Sequence, residues 1–412
     1  MSIALRDYAE AAGPEVIDAL ERLARPLRGR RVVHVNSTRV GGGVAEILAR
    51  LVPLMKDLGM DAGWEVIEGT PDFYGVTKTF HNALQGVPAA PTAAGLQVYD
   101  DVNREAARRL GPSLAEADFV FIHDPQPAAI LRHLPKRRGR WVWRCHIDVS
   151  RPHRPVWKFL RPIVAPYDAS VYSMAAFAQP LPHPQYIIAP SIDPLSDKNR
   201  PLEESEVQSV AARHGLDPLR PVVVQVSRFD RFKDPIGVLQ AYRIAKRRLP
   251  IQLVLVGGTA TDDPEGDAVL AAVREAAGSD PDVHVLLLPP DAHREINALQ
   301  RRATLVMQKS LKEGFGLTVT EALWKGKPVI GGRAGGIVLQ VVDHHTGFLV
   351  DTPEGAAFRM RYLLNRPNAV ALMAEKARRF VRENFLLTRH LREYLTVMLA
   401  IDSGGGDQVE VA

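Results

Sequence analysis

The stretch that decides the fold reads Lys312-Glu313-Gly314-Phe315-Gly316-Leu317-Thr318-Val319-Thr320-Glu321-Ala322. It follows an apolar run, 303–307, that is typical of a short buried strand, and it continues into a segment typical of a helix. Glycines on both sides of Phe315 let the backbone approach a ligand closely, and a helix start offers unpaired N–H groups to an anion. The pattern therefore predicts a strand, a ligand-binding turn and a short helix.

Two carboxylates belong to this stretch, Glu313 in the turn and Glu321 in the helix, and both can point to the same rim. A carboxylate suits sugar hydroxyls because it accepts paired, charge-assisted hydrogen bonds. A capping glutamate and a surface glutamate would explain a bare pair at this spacing. The Gly-Phe-Gly inside the stretch and Gly326-Lys327-Pro328-Val329-Ile330 behind it favour a sugar site.

The whole string from Lys312 to Ile330 resembles the donor-site signature of retaining glycosyltransferases of family 4. The resemblance implies an α/β protein with the GT-B fold, in which two Rossmann-like doubly wound domains face each other across a cleft. It also implies that Glu321 binds the ribose hydroxyls of a nucleotide sugar and that Glu313 binds a hydroxyl of the transferred glucose. The implied donor contacts of the turn are Gly314, Phe315, Gly316 and Leu317.

Length and composition limit the class of protein. The chain has 412 residues, too many for one ordinary core and suited to two domains of about 200 residues each. Its 46% hydrophobic and 24% charged residues are typical of a soluble globular protein. No apolar run approaches the roughly 18 residues that span a bilayer.

Charge and cysteine content narrow the setting. The net charge of +5 is a small, scattered excess, so we expect no nucleic-acid partner. The single cysteine, Cys145, excludes an internal disulfide and fits a reducing cytosol. The start, 1–7, lacks the apolar core of a signal peptide. We therefore expect a cytoplasmic protein without a membrane partner.

The alternation of strand and helix patterns occurs twice, with a proline-punctuated segment near residue 195 between the two series. We predict an N-terminal acceptor-binding Rossmann-like domain over 1–195 and a nucleotide-sugar-binding Rossmann-like domain over 196–385. The resemblance implies that the helix over 386–401 crosses back to the first domain. The glycine-rich end, 402–412, is predicted to be a flexible tail.

The first strand, 31–37, runs into a loop that holds Gly41, Gly42 and Gly43, and a helix follows. Such a loop can face a phosphate or a sugar, so we expect Gly42 and Gly43 to complete the donor site. A tight turn that requires glycine is the alternative explanation. The loop is not G-x-G-x-x-G, which disfavours a dinucleotide cofactor and an NAD-type dehydrogenase.

Polar clusters follow two later strands of the first domain, His123-Asp124-Pro125-Gln126 and, after a strand that ends at Arg144, Cys145-His146-Ile147-Asp148. In open parallel sheets, ligands bind beyond the carboxyl ends of the strands, so two such clusters predict a site. We expect Asp124, Gln126 and Arg144 to bind the acceptor. Asp124 and His146 are counted among the catalytic residues, His146 near the reacting carbon or the 6-hydroxyl.

In the second domain, Arg228 and Lys233 lie in the loop after a predicted strand, 221–227. Family 4 carries this pair, which implies that the two cations stabilise the diphosphate as charge develops on the leaving group. Gly257 ends the next strand and is expected at the nucleotide base and ribose. The catalytic set is thus Arg228, Lys233, Glu313, His146 and Asp124.

Four strings of the N-terminal half resemble those of glycosyltransferring trehalose synthases and of the related trehalose phosphorylases. They are 37–46, 123–127, 143–148 and 190–196. The resemblance implies transfer of glucose from UDP-, ADP- or GDP-glucose to free glucose, giving α,α-trehalose. Phosphorolysis of trehalose, another acceptor within family 4 and a non-catalytic sugar-nucleotide binding protein stay open as alternatives.

The expected partners are small molecules, namely NDP-glucose, glucose and trehalose. The leaving phosphate can accept the proton of the acceptor, so no side-chain nucleophile and no cofactor are required. No Asp-x-Asp motif stands at a plausible position, and Asp262-Asp263 is most simply a loop, so we predict no metal-ligand residues. Mg²⁺ can nevertheless accompany the diphosphate, and a homodimer is an open alternative to a monomer.

Overall fold

The computed structural model describes residues 3–40, 43–89, 91–258 and 264–404. The chain forms two compact units. Unit 1 comprises Met1–Ser191 with Leu387–Ala412, and unit 2 comprises Ile192–Leu386. The domain boundary predicted from the sequence lay at residue 195, whereas the units divide between Ser191 and Ile192.

Unit 1 is built on one parallel sheet of six strands with helices between them. Its strands are β1 Arg31–Asn36, β2 Asp61–Val66, β3 Phe119–His123, β4 Arg140–Cys145, β5 Ala169–Tyr172 and β6 Gln185–Ile187. Its first helices are α1 Ala9–Ala12, α2 Pro14–Ala24, α3 Gly43–Asp57, α4 Pro71–Leu84, α5 Ala93–Ala115 and α6 Arg154–Val164. The strand order is β2-β1-β3-β4-β5-β6, so the order reverses between β1 and β3.

Unit 2 repeats this plan with a second parallel sheet. Its strands are β7 Val222–Val226, β8 Gln252–Gly257, β9 Val283–Leu287, β10 Leu305–Gln308, β11 Val329–Gly332 and β12 Gly347–Val350. The helices α7 to α10 are Glu204–Arg213, Pro235–Lys246, Pro264–Ala277 and His293–Arg302. The helices α11 to α14 are Leu317–Trp324, Ile337–Gln340, Pro353–Leu364 and Pro367–Asn384. The strand order is β12-β11-β10-β7-β8-β9, and it reverses between β7 and β10.

The last helix, α15 Leu387–Asp402, belongs to unit 1 and packs on α2 and α3. The central strands explain the two layered cores. Phe-Val-Phe-Ile-His of β3 and Val-Val-Val-Gln-Val of β7 are buried at every position, as expected where helices cover both faces of a parallel sheet. Two doubly wound parallel sheets confirm the α/β class predicted from the sequence.

One tyrosine ties the core of unit 1 to the loop after β3. Tyr99 of α5 is fully buried, and its ring lies 6.1 Å from that of Phe73 and 5.0 Å from that of Phe80. Its hydroxyl donates a hydrogen bond of 2.7 Å to the carbonyl oxygen of Pro125. The loop that carries Asp124 is therefore held by a buried hydrogen bond from a rigid helix.

We expect Tyr99→Phe to lower the free energy of unfolding of unit 1 by about 1–3 kcal/mol, because the buried carbonyl of Pro125 loses its donor. Urea unfolding followed by tryptophan fluorescence measures this change, since Trp324 alone of the five tryptophans lies in unit 2. Tyr74→Phe is the matched control, because the Tyr74 hydroxyl is on a half-exposed ring and makes only hydrogen bonds of 3.4 Å. Equal midpoints for both variants would contradict the role of Tyr99.

Candidate active site

The carboxyl ends of β7 and β10 carry an ion pair. Lys233 ends a 3₁₀ turn after β7, and its Nζ lies 2.7 Å from Oε1 of Glu313, which follows β10. The two side chains are 17% and 8% exposed. The other oxygen of Glu313, Oε2, accepts a hydrogen bond of 3.1 Å from the Ser310 hydroxyl. The structure thus brings together two residues that the sequence assigned separately to diphosphate and sugar.

Arg228 differs from Lys233 in its surroundings. Its side chain is 61% exposed, and its Nη2 lies 3.6 Å from Oδ2 of Asp230. Asp230 also caps the turn that carries Lys233, because its Oδ1 accepts a hydrogen bond of 2.6 Å from the Phe232 amide. One aspartate therefore contacts Arg228 and orders the backbone of Lys233.

A second buried cation, Lys309, follows β10 directly and forms an ion pair with Asp234. Asp234 has a φ of 51°, in the left-handed region, and its Oδ1 accepts a hydrogen bond of 3.0 Å from the Gly237 amide at the start of α8. Lys309 was not among the residues predicted from the sequence. A lysine immediately after a buried strand was the available signal.

Two glycine loops pack against each other beside the ion pair. Gly316 has a φ of 83° and precedes α11, whose start has no side-chain cap. A Cβ on Gly335 would lie 1.7 Å from the carbonyl oxygen of Glu313, and the Gly336 amide donates a hydrogen bond of 2.9 Å to the carbonyl of Gly314. Only glycine at position 335 lets the two loops approach this closely. A side chain at position 314, by contrast, would meet only open space.

Other predicted donor residues have structural partners of their own. The ring of Phe315 is largely buried and lies 5.8 Å from that of Phe385, and the Phe315 carbonyl oxygen accepts a hydrogen bond from Nε2 of Gln340. Leu317 begins α11. A Cβ on Gly257 would lie 1.7 Å from the carbonyl oxygen of Ser227, so packing alone already requires glycine there.

Glu321 lies in α11 and is only 6% exposed. Lys325, one turn later, is also buried, and its Nζ donates a hydrogen bond of 3.2 Å to the carbonyl oxygen of Glu321. Burial lowers the pKa of Lys325 to about 7, and the charge of Glu321 opposes that shift. The carboxylate predicted to bind ribose is thus largely enclosed by its own unit.

In unit 1, Gly43 begins α3, and Gly42 lies outside the described residues, as do Asp262 and Asp263.

In unit 1, Asp124 is held in a strained backbone conformation at the carboxyl end of β3. Its φ is 64°, and its amide donates a hydrogen bond of 2.8 Å to the carbonyl of Arg144. Its Oδ1 accepts a hydrogen bond of 2.7 Å from the His146 amide, and its carbonyl accepts one of 3.1 Å from Nε1 of Trp143. Three hydrogen bonds therefore join the loop after β3 to the end of β4.

The same environment affects the ionisation of Asp124. Burial raises the pKa of its carboxyl to about 6, while the hydrogen bond from His146 and the charge of Arg144 act in the opposite direction. The carboxylate is therefore ionised above that pH. Gln126, two residues later, is partly buried, and its Oε1 has no hydrogen-bond partner within the described ranges.

Arg144 does not lie where the acceptor prediction requires. Its guanidinium is fully buried, so it has no surface for a sugar, and its Nη2 donates a hydrogen bond of 2.8 Å to the carbonyl of Ile188. The charge still acts at short range, because it contributes to lowering the pKa of His123 and of His146. The structure supports an electrostatic role for Arg144 rather than direct contact.

His146 ends a chain of three imidazole rings that sequence analysis missed. Its Nε2 lies 3.0 Å from Nδ1 of His123, whose Nε2 lies 3.1 Å from Nδ1 of His34. His34 lies in β1, His123 ends β3, and His146 follows β4, and these strands are neighbours in the sheet. His34 was not predicted because it belongs to an apolar strand pattern, whereas His123 was recognised only as part of a polar cluster.

Solved structures share this architecture. A sucrose-phosphate synthase from Thermosynechococcus elongatus aligns with a TM-score of 0.68 at 16% identity, over 91% of this chain and 100% of that one. The Anabaena protein HepE in complex with UDP-glucose aligns with a TM-score of 0.67 at 16% identity, over 90% and 99%. A family model described as glycosyl transferases group 1 matches residues 208–380. The fold and this match define a glycosyltransferase of the GT-B class.

Proteins that are similar over nearly the full chain define the family of glycosyltransferases more closely. A family model described as the N-terminal domain of trehalose synthase matches residues 34–179. Trehalose synthase of Pyrococcus horikoshii is 45% identical over 96% of this chain and 95% of its own length. Trehalose synthase of Rubrobacter xylanophilus is 44% identical over 95% of each. The chain belongs to the trehalose synthase family of glycosyltransferases, as its motifs predicted.

A more distant relative is trehalose phosphorylase of Pleurotus pulmonarius, 31% identical over 84% of this chain but 54% of its own length. No helix in the described ranges is long and apolar enough to cross a membrane.

We expect Arg228→Ala and Lys233→Ala each to lower turnover of a nucleotide sugar by ~10²-fold or more, because each removes a cation that stabilises developing charge. Lys233→Ala alone should also lower the thermal midpoint, since it leaves the largely buried Glu313 without its ion-pair partner. Steady-state kinetics and thermal unfolding measure the two effects. Arg294→Ala, which removes an exposed arginine paired with Glu206, is the control and should change neither. Near wild-type turnover in both site variants would contradict the assignment.

Proposed function

We propose that the protein transfers glucose, with retention at the anomeric carbon, from UDP-, ADP- or GDP-glucose to free glucose, forming α,α-trehalose reversibly. The observation that carries the proposal is the set of charged groups at the strand-order reversal of unit 2, where Lys233 and Glu313 form an ion pair close to the start of α11 and the exposed Arg228 follows β7. Open α/β sheets bind ligands at this position. The full-length similarity to trehalose synthases supports the choice of sugars.

The ion pair suits a donor that carries negative charge next to a sugar. Lys233 offers one cation, α11 begins with backbone N–H groups that no side chain caps, and Arg228 supplies a second, exposed cation for the diphosphate. Glu313 uses one oxygen for Lys233 and the other for Ser310. A carboxylate has about four lone-pair sites, so it can accept a glucose hydroxyl while it keeps both partners.

Retention requires that the acceptor hydroxyl and the leaving phosphate lie on the same face of the transferred glucose. The bond between the anomeric carbon and the leaving phosphate breaks as the new glycosidic bond forms, and the leaving phosphate oxygen takes the proton of the acceptor, so no side-chain nucleophile is required. Arg228, Lys233 and the helix start stabilise the charge that develops on the diphosphate. Glu321 binds the ribose hydroxyls, because a carboxylate accepts strong, charge-assisted hydrogen bonds.

Acceptor recognition is assigned to unit 1. Asp124 offers a carboxylate at the switch point between β1 and β3, in a loop that Trp143, His146 and Tyr99 hold in place. Gln126 adds an amide in the same loop, and His146 contacts the glucose being transferred. Asp124 orients the acceptor through adjacent hydroxyls.

The proposal needs no cofactor, because side chains and backbone N–H groups supply the charge for the diphosphate. Mg²⁺ can accompany the diphosphate as part of the substrate. The partners are small molecules, and the single, buried cysteine supports a location in the cytoplasm. Assembly as a homodimer is an open alternative to a monomer.

Trehalose phosphorolysis is the second candidate, because trehalose phosphorylases are similar to this chain. The two reactions differ in what replaces glucose on the anomeric carbon. We expect trehalose with UDP or ADP to give NDP-glucose, and trehalose with orthophosphate to give little glucose 1-phosphate, because Glu321 provides for a ribose that orthophosphate lacks. Product analysis by chromatography distinguishes the reactions, and Glu321→Ala should lose its preference for a nucleoside diphosphate over orthophosphate. The opposite product pattern would favour phosphorolysis.

We expect Asp124→Asn to abolish most transfer to glucose while nucleotide affinity stays within about threefold of wild type, a change under ~1 kcal/mol. The asparagine side chain keeps the shape of the aspartate side chain but lacks its negative charge and one of its two accepting oxygens. Wild-type transfer should also fall as the pH drops through about 6, where Asp124 becomes protonated. Calorimetry measures nucleotide binding, and rate profiles measure the titration. Loss of nucleotide binding with unchanged use of glucose would show that Asp124 serves the donor.

A further inference from the structure

The three imidazoles form one continuous hydrogen-bonded chain inside unit 1. His34 is fully buried and stacks on Phe121 at 5.0 Å, and Tyr394 of α15 lies 5.8 Å from it. His123 is also buried, whereas His146 is partly exposed. The chain thus has one closed end, at His34, and one open end, at His146.

All three rings are neutral at physiological pH. Burial lowers the pKa of His34 to about 3 and lowers the pKa of His123 and of His146 well below the usual value. The charge of Arg144 on β4 acts in the same direction on His123 and His146. The other titratable groups around the chain are Asp124, which follows β3, and Arg389, His390 and Tyr394 of α15.

A neutral imidazole has one N–H donor and one lone pair, so each link of the chain needs one of each. Two arrangements satisfy both links. In the first, Nδ1–H of His34 donates to His123, and Nδ1–H of His123 donates to Nε2 of His146. In the second, every donor is reversed, and the N–H of His34 stands on Nε2.

The closed end decides between the two arrangements. Nε2 of His34 is buried and has no hydrogen-bond partner in the part of the chain that the structure describes. The second arrangement would leave a buried N–H without an acceptor there, and orphaned buried N–H groups are rarer than under-used acceptors. The first arrangement leaves only a lone pair and is therefore favoured.

We propose that His34 and His123 are positioning residues that hold His146 as the Nδ1–H tautomer, so that the open end presents a hydrogen-bond donor to a sugar oxygen. The chain acts as a tautomer lock. It does not relay protons, because a shift along the chain would have to deliver a proton to the closed end at His34. The identity of the ligand as a hexose rests on the proposed function, but the tautomer does not.

The test is the tautomer itself in the full-length protein. Long-range ¹H–¹⁵N correlation spectra of ¹⁵N-histidine-labelled protein distinguish Nδ1–H from Nε2–H, and the His146→Asn variant assigns the His146 signal among the 13 histidines. We expect His146 to be Nδ1–H, and a wild-type His146 found as Nε2–H would overturn the proposal. This measurement needs no active enzyme, so failure to form trehalose from any donor would count against the proposed function alone.

Variants test whether the chain causes the tautomer. His34→Phe keeps an aromatic ring beside Phe121 but removes the closed end, so we expect the His146 signal to become a mixture of tautomers. His123→Phe should release His146 and lower kcat about tenfold, the usual scale when a group that orients a functional histidine is lost. His183→Gln, outside the chain but in the same unit, is the control and should leave the His146 signal unchanged. An unchanged His146 tautomer in folded His34→Phe and His123→Phe would refute the lock.

Discussion

Parallel strands covered on both faces leave room for polar side chains almost only at their ends, and both units depend on this constraint. The central strands β3 and β7 are buried throughout, so the polar side chains that a ligand could contact lie in the loops after them. In unit 2 the loops after β7 and β10 meet as the pair Lys233–Glu313, and in unit 1 the loops after β3 and β4 meet through Asp124 and His146. Sheet topology thus brings together the residues that were predicted as catalytic.

Both loops contain an aspartate in the left-handed region, Asp124 after β3 and Asp234 after β7. Non-glycine residues adopt this conformation at a cost of order 1–3 kcal/mol, which the surroundings must offset. Each aspartate does so with a carboxylate that accepts a backbone N–H, from His146 in one unit and from Gly237 in the other. The side chain that strains the loop also stabilises it.

The strand ends that hold the candidate site residues could be located from the sequence, because apolar runs and the residues after them are local patterns. It could not predict the Lys233–Glu313 pair, since those residues are distant in the chain and only the order β10-β7 brings them together. Arg144 looked available because it precedes a polar cluster, but as a strand residue it points into the unit, where Ile188 accepts its hydrogen bond. His34 was not predicted because it lies within the apolar pattern of β1, and its link through His123 to His146 joins residues that are distant in the chain. Gly257 shows the converse case, in which packing alone explains a predicted site residue. The carbonyl oxygen of Ser227 occupies the space that a side chain at position 257 would need.

Unit 1 is assembled from both ends of the chain, whereas unit 2 is one continuous segment. Helix α15 supplies His390, whose Nδ1 lies 2.9 Å from the Ser191 hydroxyl, and Arg389, which donates to the carbonyls of Ala189 and Pro190. A ribosome adds about 5–20 residues per second, so roughly 10–40 s separate the synthesis of Ser191 from that of the end of α15. The synthesis of unit 2 is therefore complete before that of unit 1. During this time unit 1 lacks α15, so the surface that α15 will cover is exposed to chaperones. The length of unit 2, which is inserted between the two parts of unit 1, sets how long this exposure lasts.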